Sequence, residues 1–324
     1  MKALVFHTFG GPEVLALQDI PDPPLAAGTV KVRMRAIGLN YADIYRRRGN
    51  YHLVGQPPYI LGYEGAGVVE EAAPGVTGIQ VGDRIGFADV PHANAELVAV
   101  PADRAIKLPE GISFEAAAAV LLQGLTAQYL VNDSYGVKPG DNVLVHAAAG
   151  GVGQLLIQLC KAKGAAVAGL TSSAAKREAA LAAGAHEVFL YDTDWVNSVL
   201  AWSAAAEKGG VDVAYDSVGS TLMDSFRSVR TKGTVVFFGM AGGDPAPVDP
   251  RMLMDTSKTL TGGDLWNHVT TAEERNRRGR ELFAAMLEGQ LRLPSPRTYS
   301  LADGAEAHRY LESRASTGKI LLIP

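Results

Sequence analysis

Apolar and polar residues alternate in two different rhythms along this chain. In the first third, short β-type runs predict strands at Lys2–His7, Leu15–Ile20, Val30–Ala36, Ala66–Glu71, Asp83–Ala88 and Glu96–Ala99. Turn signals such as Gly10-Gly11-Pro12 and Pro21–Pro24 separate them, and a short helix is expected at Tyr41–Arg48. Ser113-Phe114-Glu115-Ala116 reads as the start of a long helix, because Ala116–Val131 is rich in good helix formers.

The second rhythm begins at Asn142–His146, an apolar run without alternation, as expected of a strand buried on both faces. A glycine-rich turn, Ala147–Gly153, follows it. A helix is then expected over Gln154–Lys163, with Leu155, Leu156, Leu159 and Cys160 on one face. Strand and helix continue to alternate, with strands at Ala165–Leu170, Glu187–Tyr191, Val211–Asp216 and Thr234–Phe238 and a helix opening at Ala174. That series predicts an α/β fold built on a doubly wound parallel Rossmann sheet. Past the Gly- and Pro-rich loop Gly242–Pro250 a last strand is expected near Lys258–Gly262. Six strands are then complete by about Leu265. The helix at Ala272–Leu287, another in the tail and the strand Lys319–Ile323 therefore belong with the first domain.

At 324 residues the chain suits two domains. A net charge of −4 argues against a dedicated nucleic-acid or membrane-surface binder. The basic clusters Arg46-Arg47-Arg48 and Arg275–Arg280 read as solvated helix faces, and no aromatic–basic platform accompanies them. No signal peptide precedes the first strand, and the longest apolar candidate for a membrane span, Ala116–Leu122, is too short. The single cysteine, Cys160, has no partner for an intramolecular disulfide, which fits the cytoplasm. Its place on an apolar helix face makes it core filler rather than a nucleophile.

The glycine turn carries the chemistry. Gly150, Gly151 and Gly153 lack Cβ atoms, so the backbone there can approach a pyrophosphate. Gly151 and Val152 offer backbone donors at the start of the helix. An NAD-preferring site places an acid after the second strand, and this chain has none between Ala165 and Ala175. It has Thr171, Ser172 and Ser173, followed by Lys176 and Arg177, groups that suit a 2′-phosphate. The expected cofactor is NADPH.

These residues resemble the zinc-independent quinone oxidoreductases, the zeta-crystallin-like branch of the medium-chain dehydrogenase/reductase superfamily. The likeness spans nearly the whole chain. It is carried by Gly10–Leu15, Gly38-Leu39-Asn40 with Asp43, Gly62–Gly67, Gly82-Asp83-Arg84 and Gln123–Ala127. The most specific run is Gly140-Asp141, Leu144, Ala148–Gly151, Gly153, Gln158 and Lys161. Tyr215–Gly219 and Glu312–Ala315 agree as well. The resemblance implies a GroES-like β domain over residues 1–123 and 266–324, and a Rossmann domain over 124–265 with NADPH in the cleft between them. It also implies cofactor contacts at Asn40, Thr126, Gly151, Val152, Ser172, Lys176, Tyr191, Ser217, Phe238, Gly239 and Arg314. A homodimer joined through the sheet edge near Lys258–Gly262 is implied in the same way.

Zinc-dependent relatives carry Cys and His ligands around the positions held here by Leu39-Asn40 and Tyr63-Glu64. Glu64 alone does not hold a zinc, so no metal site is expected. Without a Lewis acid, alcohol dehydrogenation is disfavoured, and an acceptor that takes electrons readily, a quinone, is favoured. Tyr45 and Tyr51, around the short helix after Asn40, are the candidate catalytic residues: a phenol there would hydrogen-bond a quinone oxygen as charge develops. His52 is a further candidate beside them. The alternative is an enoyl or alkenal reductase, in which a tyrosine protonates the product carbon. A role in RNA binding is the remaining alternative. One departure stands out: where many relatives carry an arginine near the last sheet strand, this chain has Thr261-Gly262-Gly263-Asp264.

Overall fold

The computed structural model describes residues 1–204 and 209–324. In chain order it contains β1 (Lys2–Phe6), β2 (Ala16–Asp19), β3 (Thr29–Leu39), α1 (Tyr41–Arg48), β4 (Tyr59–Ile60), β5 (Glu64–Ala72), β6 (Arg84–Ala88), β7 (Leu97–Pro101) and β8 (Ile106–Lys107). Next come α2 (Phe114–Tyr129), β9 (Asn142–Val145), α3 (Gly151–Ala162), β10 (Ala166–Thr171), α4 (Ala174–Ala182), β11 (Glu187–Leu190), α5 (Trp195–Ala204) and β12 (Val211–Asp216). The remainder is α6 (Leu222–Ser228), β13 (Val229–Phe237), α7 (Pro250–Thr256), β14 (Thr259–Gly262), α8 (Ala272–Leu287), β15 (Arg297–Ser300), α9 (Gly304–Glu312) and β16 (Ile320–Ile323). The chain divides into one unit of Met1–Leu125 with Val269–Pro324 and another of Thr126–His268.

The first unit is mostly β. A seven-stranded sheet has the order β15-β16-β3-β5-β6-β8, with β7 also paired to β3, and a small sheet has the order β2-β1-β4. The long strand β3 pairs with β5, β7 and β16, so it is the hub on which the C-terminal tail is anchored. Its core includes Leu4, Phe6, Ile37, Leu61, Phe87 and Leu322, all withdrawn from water. Each such side chain contributes on the order of 1.5–3 kcal/mol of hydrophobic stabilisation.

The second unit holds six parallel strands in the order β11-β10-β9-β12-β13-β14. The sequence order of strands reverses beside β9, and there the loops at the carboxyl ends of the strands diverge to make room for a ligand. Every residue of β9 and β12 is buried, which is why those runs do not alternate.

Three expectations need correction. The basic clusters read as solvated helix faces are turned partly inward: Arg46, Arg47, Arg275 and Arg278 are buried, while Arg48, Arg277 and Arg280 face water. The helix expected from Gln154 already begins at Gly151, because Gly150 takes the extended cap conformation and the glycine turn flows directly into α3. The helical stretch expected to be too short for a membrane span also runs on: α2 and a π-turn at Leu130–Ser134 give Phe114–Ser134, long and apolar enough by length and composition. Within the most apolar window of that stretch 67% is buried inside the protein, as in a core helix. Ser113 Oγ accepts from Ala116 N at 3.1 Å and caps its start.

Candidate cofactor and acceptor site

In the nucleotide unit the turn between β9 and α3 is closed by contacts around Ala147. Ala147 adopts φ 47°, a left-handed conformation. Its carbonyl accepts from Gly150 N at 2.8 Å. A Cβ on Gly153 would lie 2.5 Å from that carbonyl, and one on Gly150 3.1 Å from it. Glycine is therefore required at Gly153 for the turn to close. No side chain caps α3, so the N–H groups of Gly151, Val152 and Gly153 are presented at the helix's positive end. That is a fit for a pyrophosphate.

The loop after β10 is the expected 2′-phosphate end. Thr171 is buried, Ser172 is exposed, and Ser173 caps α4 by accepting from Lys176 N at 3.4 Å. Lys176 stands in the first turn of α4, half-buried. Arg177 turns to Glu187 at 3.1 Å and is engaged there.

Tyr191 sits just past β11. Its hydroxyl accepts from Ala147 N at 3.0 Å and lies 3.2 Å from His146 Nδ1. Ser217, Phe238 and Gly239 stand at the ends of β12 and β13. Phe238 N donates to Asp216 O at 3.0 Å and Ala241 N to Ser217 O at 3.0 Å, which sews the two loops together. Thr126, half-buried on α2, belongs to the same unit.

The mostly-β unit carries the remaining predicted residues. Asn40 precedes α1 and shares a capping box with Asp43, whose Oδ2 accepts from Asn40 N at 2.9 Å. Its amide is saturated. Nδ2 donates to Glu64 Oε2 (2.9 Å) and Gly38 O (3.2 Å), while Oδ1 accepts from Lys319 Nζ (2.8 Å) and Gln123 Nε2 (3.5 Å). Asn40 thus spends its side chain on holding the buried Glu64 and Lys319 in place. Glu64 Oε1 also accepts from Leu122 N at 2.6 Å. Lys319 was not singled out from sequence; one ionisable residue before the apolar run Ile320–Ile323 was its only signal.

Tyr45 and Tyr51 come together, ring centroids 6.3 Å apart and edge to face, with Tyr41 5.8 Å beyond Tyr45. His52 is exposed and packs 4.0 Å from Tyr51. Beneath them the buried Arg46 guanidinium lies 3.7 Å from the centre of the Tyr63 ring and 5.1 Å from that of Tyr51. Arg46 also donates to His52 O at 3.1 Å. Burial pushes the Tyr63 phenol upward, more strongly than Arg46 draws it down. Arg314 follows α9 in a left-handed conformation, φ 58°, and is exposed. Among the described residues no group of three or more His, Cys, Asp or Glu side chains is placed to hold a metal ion.

The Thr261-Gly262-Gly263-Asp264 segment has room for a side chain at Gly262, where a Cβ would meet only Phe237 O at 3.9 Å, but not at Gly263. A Cβ on Gly263 would lie 2.5 Å from the Tyr129 ring, which itself stacks on His268 at 4.3 Å. Cys160 is core, its thiol pushed up to about 12 by burial.

A GroES-like β unit continuous with a six-stranded dinucleotide sheet and its glycine turn is the architecture of medium-chain dehydrogenases/reductases. Residues 151–275 match the zinc-binding dehydrogenase family and residues 26–110 the alcohol dehydrogenase GroES-like domain. The chain is 38% identical to a quinone oxidoreductase of Pseudomonas aeruginosa, covering 100% of this chain and 99% of the relative. It is 36% identical to a 2-haloacrylate reductase of a Burkholderia species, covering 100% and 99%. The crystal structure of Escherichia coli quinone oxidoreductase complexed with NADPH superposes with a TM-score of 0.95 at 38% identity, covering both chains fully. This chain belongs to the zinc-independent quinone oxidoreductase family of the medium-chain dehydrogenase/reductase superfamily.

Proposed function

We propose that this protein is an NADPH:quinone oxidoreductase that transfers reducing equivalents from the nicotinamide to a small-molecule acceptor without zinc. The observation that carries the reading is the uncapped Gly150–Gly153 turn opening α3 on the order-reversing edge of β9, in a full-length relative of quinone oxidoreductases. NADPH supplies the hydride when bound. Gly150, Gly151, Val152 and Gly153 receive its pyrophosphate, and Ser172 and Lys176 its 2′-phosphate. Thr126, Tyr191, Ser217, Phe238 and Gly239 are the further cofactor positions of the nucleotide unit, and Asn40 and Arg314 are the positions the family resemblance adds from the mostly-β unit. The Asn40 amide is already engaged by Gly38, Glu64 and Lys319, which supports a structural part for it, holding that buried pair and the start of α1.

Tyr45 and Tyr51 orient the acceptor and donate hydrogen bonds to the oxygen on which charge develops. The positions that bear ligands in zinc-dependent relatives hold Leu39, Asn40, Tyr63 and Glu64, and the Glu64 carboxylate is already paired with Lys319 at 2.6 Å. That donor set does not suit zinc. The 2-haloacrylate reductase relative supports a second reading, reduction of an activated alkene at the same site. The lone cysteine and the exposed edge of β14 support a cytoplasmic homodimer.

The deciding experiment is NADPH oxidation by the purified protein with simple quinones and activated alkenes side by side. Preferred turnover of quinones is expected. Preferred turnover of the alkenes assigns the second reading, and absence of NADPH binding removes both.

A further inference from the structure

Below the glycine turn a buried polar chain joins three loops of the nucleotide unit. Tyr191 OH lies 3.2 Å from His146 Nδ1, and His146 Nε2 lies 3.0 Å from Ser225 Oγ. Ser225 Oγ donates to Asp216 Oδ2 at 2.7 Å. Asp216 also accepts from Thr221 Oγ1 at 2.8 Å, Val218 N at 2.8 Å and Gly219 N at 3.0 Å. His146, Ser225 and Asp216 are essentially inaccessible to water, and Trp195 meets the imidazole edge to face at 5.4 Å.

Counting protons gives this chain a direction. Asp216 receives four hydrogen bonds and so is the carboxylate, an acceptor only. Ser225 has one hydroxyl proton and gives it to Asp216, so its lone pair faces His146, and Nε2 must be the protonated nitrogen. Nδ1 is then an acceptor and takes the Tyr191 proton. Tyr191 in turn has a lone pair for Ala147 N–H, which donates to it at 3.0 Å. Ala147, Tyr191, His146 and Ser225 therefore donate in one sense, each to the next and the last to Asp216, with a single possible tautomer. Burial holds the imidazole below its ordinary value, against the attraction of Asp216, which agrees with a neutral ring.

The head of this chain is the residue on which the cradle turns. Ala147 holds a left-handed conformation, and its carbonyl sets the approach of Gly150 and Gly153. The foot is Asp216, whose carboxylate ties down the backbone of Val218 and Gly219 beside Ser217. We infer that Tyr191, His146, Ser225 and Asp216 form a directed hydrogen-bond relay that fixes the glycine turn and the Ser217 loop in one register. The relay makes His146 and Ser225 positioning residues for the cofactor's pyrophosphate, although neither touches it. The inference rests on the NADPH reading above.

The consequence differs from that of a phosphate contact. The pyrophosphate is common to NADPH and NADH, so loosening the relay weakens both cofactors by the same factor. The test measures Kd for both by nicotinamide fluorescence in the unmutated protein and in Ser225→Ala and Tyr191→Phe. About tenfold weaker binding of both is expected, with the NADPH/NADH preference retained. Unchanged affinity in both variants overturns the inference. A selective loss of NADPH in Tyr191→Phe also overturns it, since the hydroxyl would then act on the 2′-phosphate directly. Nitrogen-15 NMR of the unmutated protein adds a readout independent of any variant's folding: a neutral, Nε2-protonated His146 is expected, and an Nδ1-protonated ring or an imidazolium sinks the relay. If the unmutated protein binds neither cofactor, the NADPH reading fails first and the relay's role falls with it. Normal binding with insensitive variants removes the relay alone.

Discussion

Lys319 Nζ lies 2.6 Å from Glu64 Oε2, and the two side chains are only 4% and 0% exposed. The pair joins the start of β16 to the start of β5 across 255 positions of sequence, and Asn40 bonds to both members. Removing one partner leaves the other charge buried without compensation, which costs more than the intact pair contributes. Lys319→Met is expected to destabilise the protein by about 3–5 kcal/mol. Lys319→Met combined with Glu64→Gln should recover a large part of that loss. Urea unfolding midpoints of the single and double variants check this; equal losses would mean that the lysine acts through packing alone.

Lys176→Ala separates the two cofactors. Losing one charge-assisted contact to a 2′-phosphate is expected to raise KM for NADPH by about ten- to a hundredfold. KM for NADH should stay nearly constant. Parallel increases for both would take Lys176 out of the phosphate site.

Tyr45 and Tyr51 pack on each other, so removing a hydroxyl while keeping the ring tests chemistry without disturbing the cluster. Tyr51→Phe is expected to lower kcat/KM for a quinone by about tenfold, the scale of one hydrogen bond to a developing charge. Tyr45→Phe is the companion variant. Kd for NADPH should not move in either, and stopped-flow reduction at saturating NADPH would show whether the loss lies in the chemical step.

His308 makes stability depend on acidity. It is fully buried, Arg47 donates to its Nδ1 at 3.1 Å, and burial followed by the neighbouring guanidinium lowers its pKa to about 3. The unfolded chain protonates this ring near pH 6.5 while the folded one does not. Between those values the unfolded state binds one more proton, and stability falls as pH falls. The slope for this group alone is up to about 1.4 kcal/mol per pH unit. His308→Asn keeps an acceptor for Arg47 and removes the titration, so its unfolding free energy should decline less steeply between pH 6.5 and 4. Identical slopes in the two proteins would count against it.

Dialysis against a strong chelator is expected to leave quinone reduction intact, because the Glu64 carboxylate is held by an ammonium and two N–H donors. Activity lost to the chelator and restored by added zinc would contradict the donor-set argument.

Much of this architecture was legible in one dimension because its causes are local. The unbroken apolar run of β9, the glycines after it and the missing acid after β10 depend on neighbours within a few residues. α1 and α8 have the limits that capping and periodicity assign them, Tyr41–Arg48 and Ala272–Leu287. The short strands β4, β8 and β15 escaped because their pairing is supplied by partners distant in sequence, not by their own two to four residues. The start of α3 was placed too late because the turn glycines, poor helix formers by propensity, are required there by close approach to Ala147.

What the sequence alone determined, then, is the order of most elements and the dinucleotide turn: each follows from residue types a few positions apart. Tertiary structure alone decided that Asn40 has no spare hydrogen bond, that Lys319 neutralises Glu64, and that the Tyr129 ring forbids a side chain at Gly263. It also brought His146 Nε2 to 3.0 Å from Ser225 Oγ, a residue 79 positions away. The reason is physical: a buried polar atom is defined by the partners that replace its water, and those partners are brought to it only by the fold.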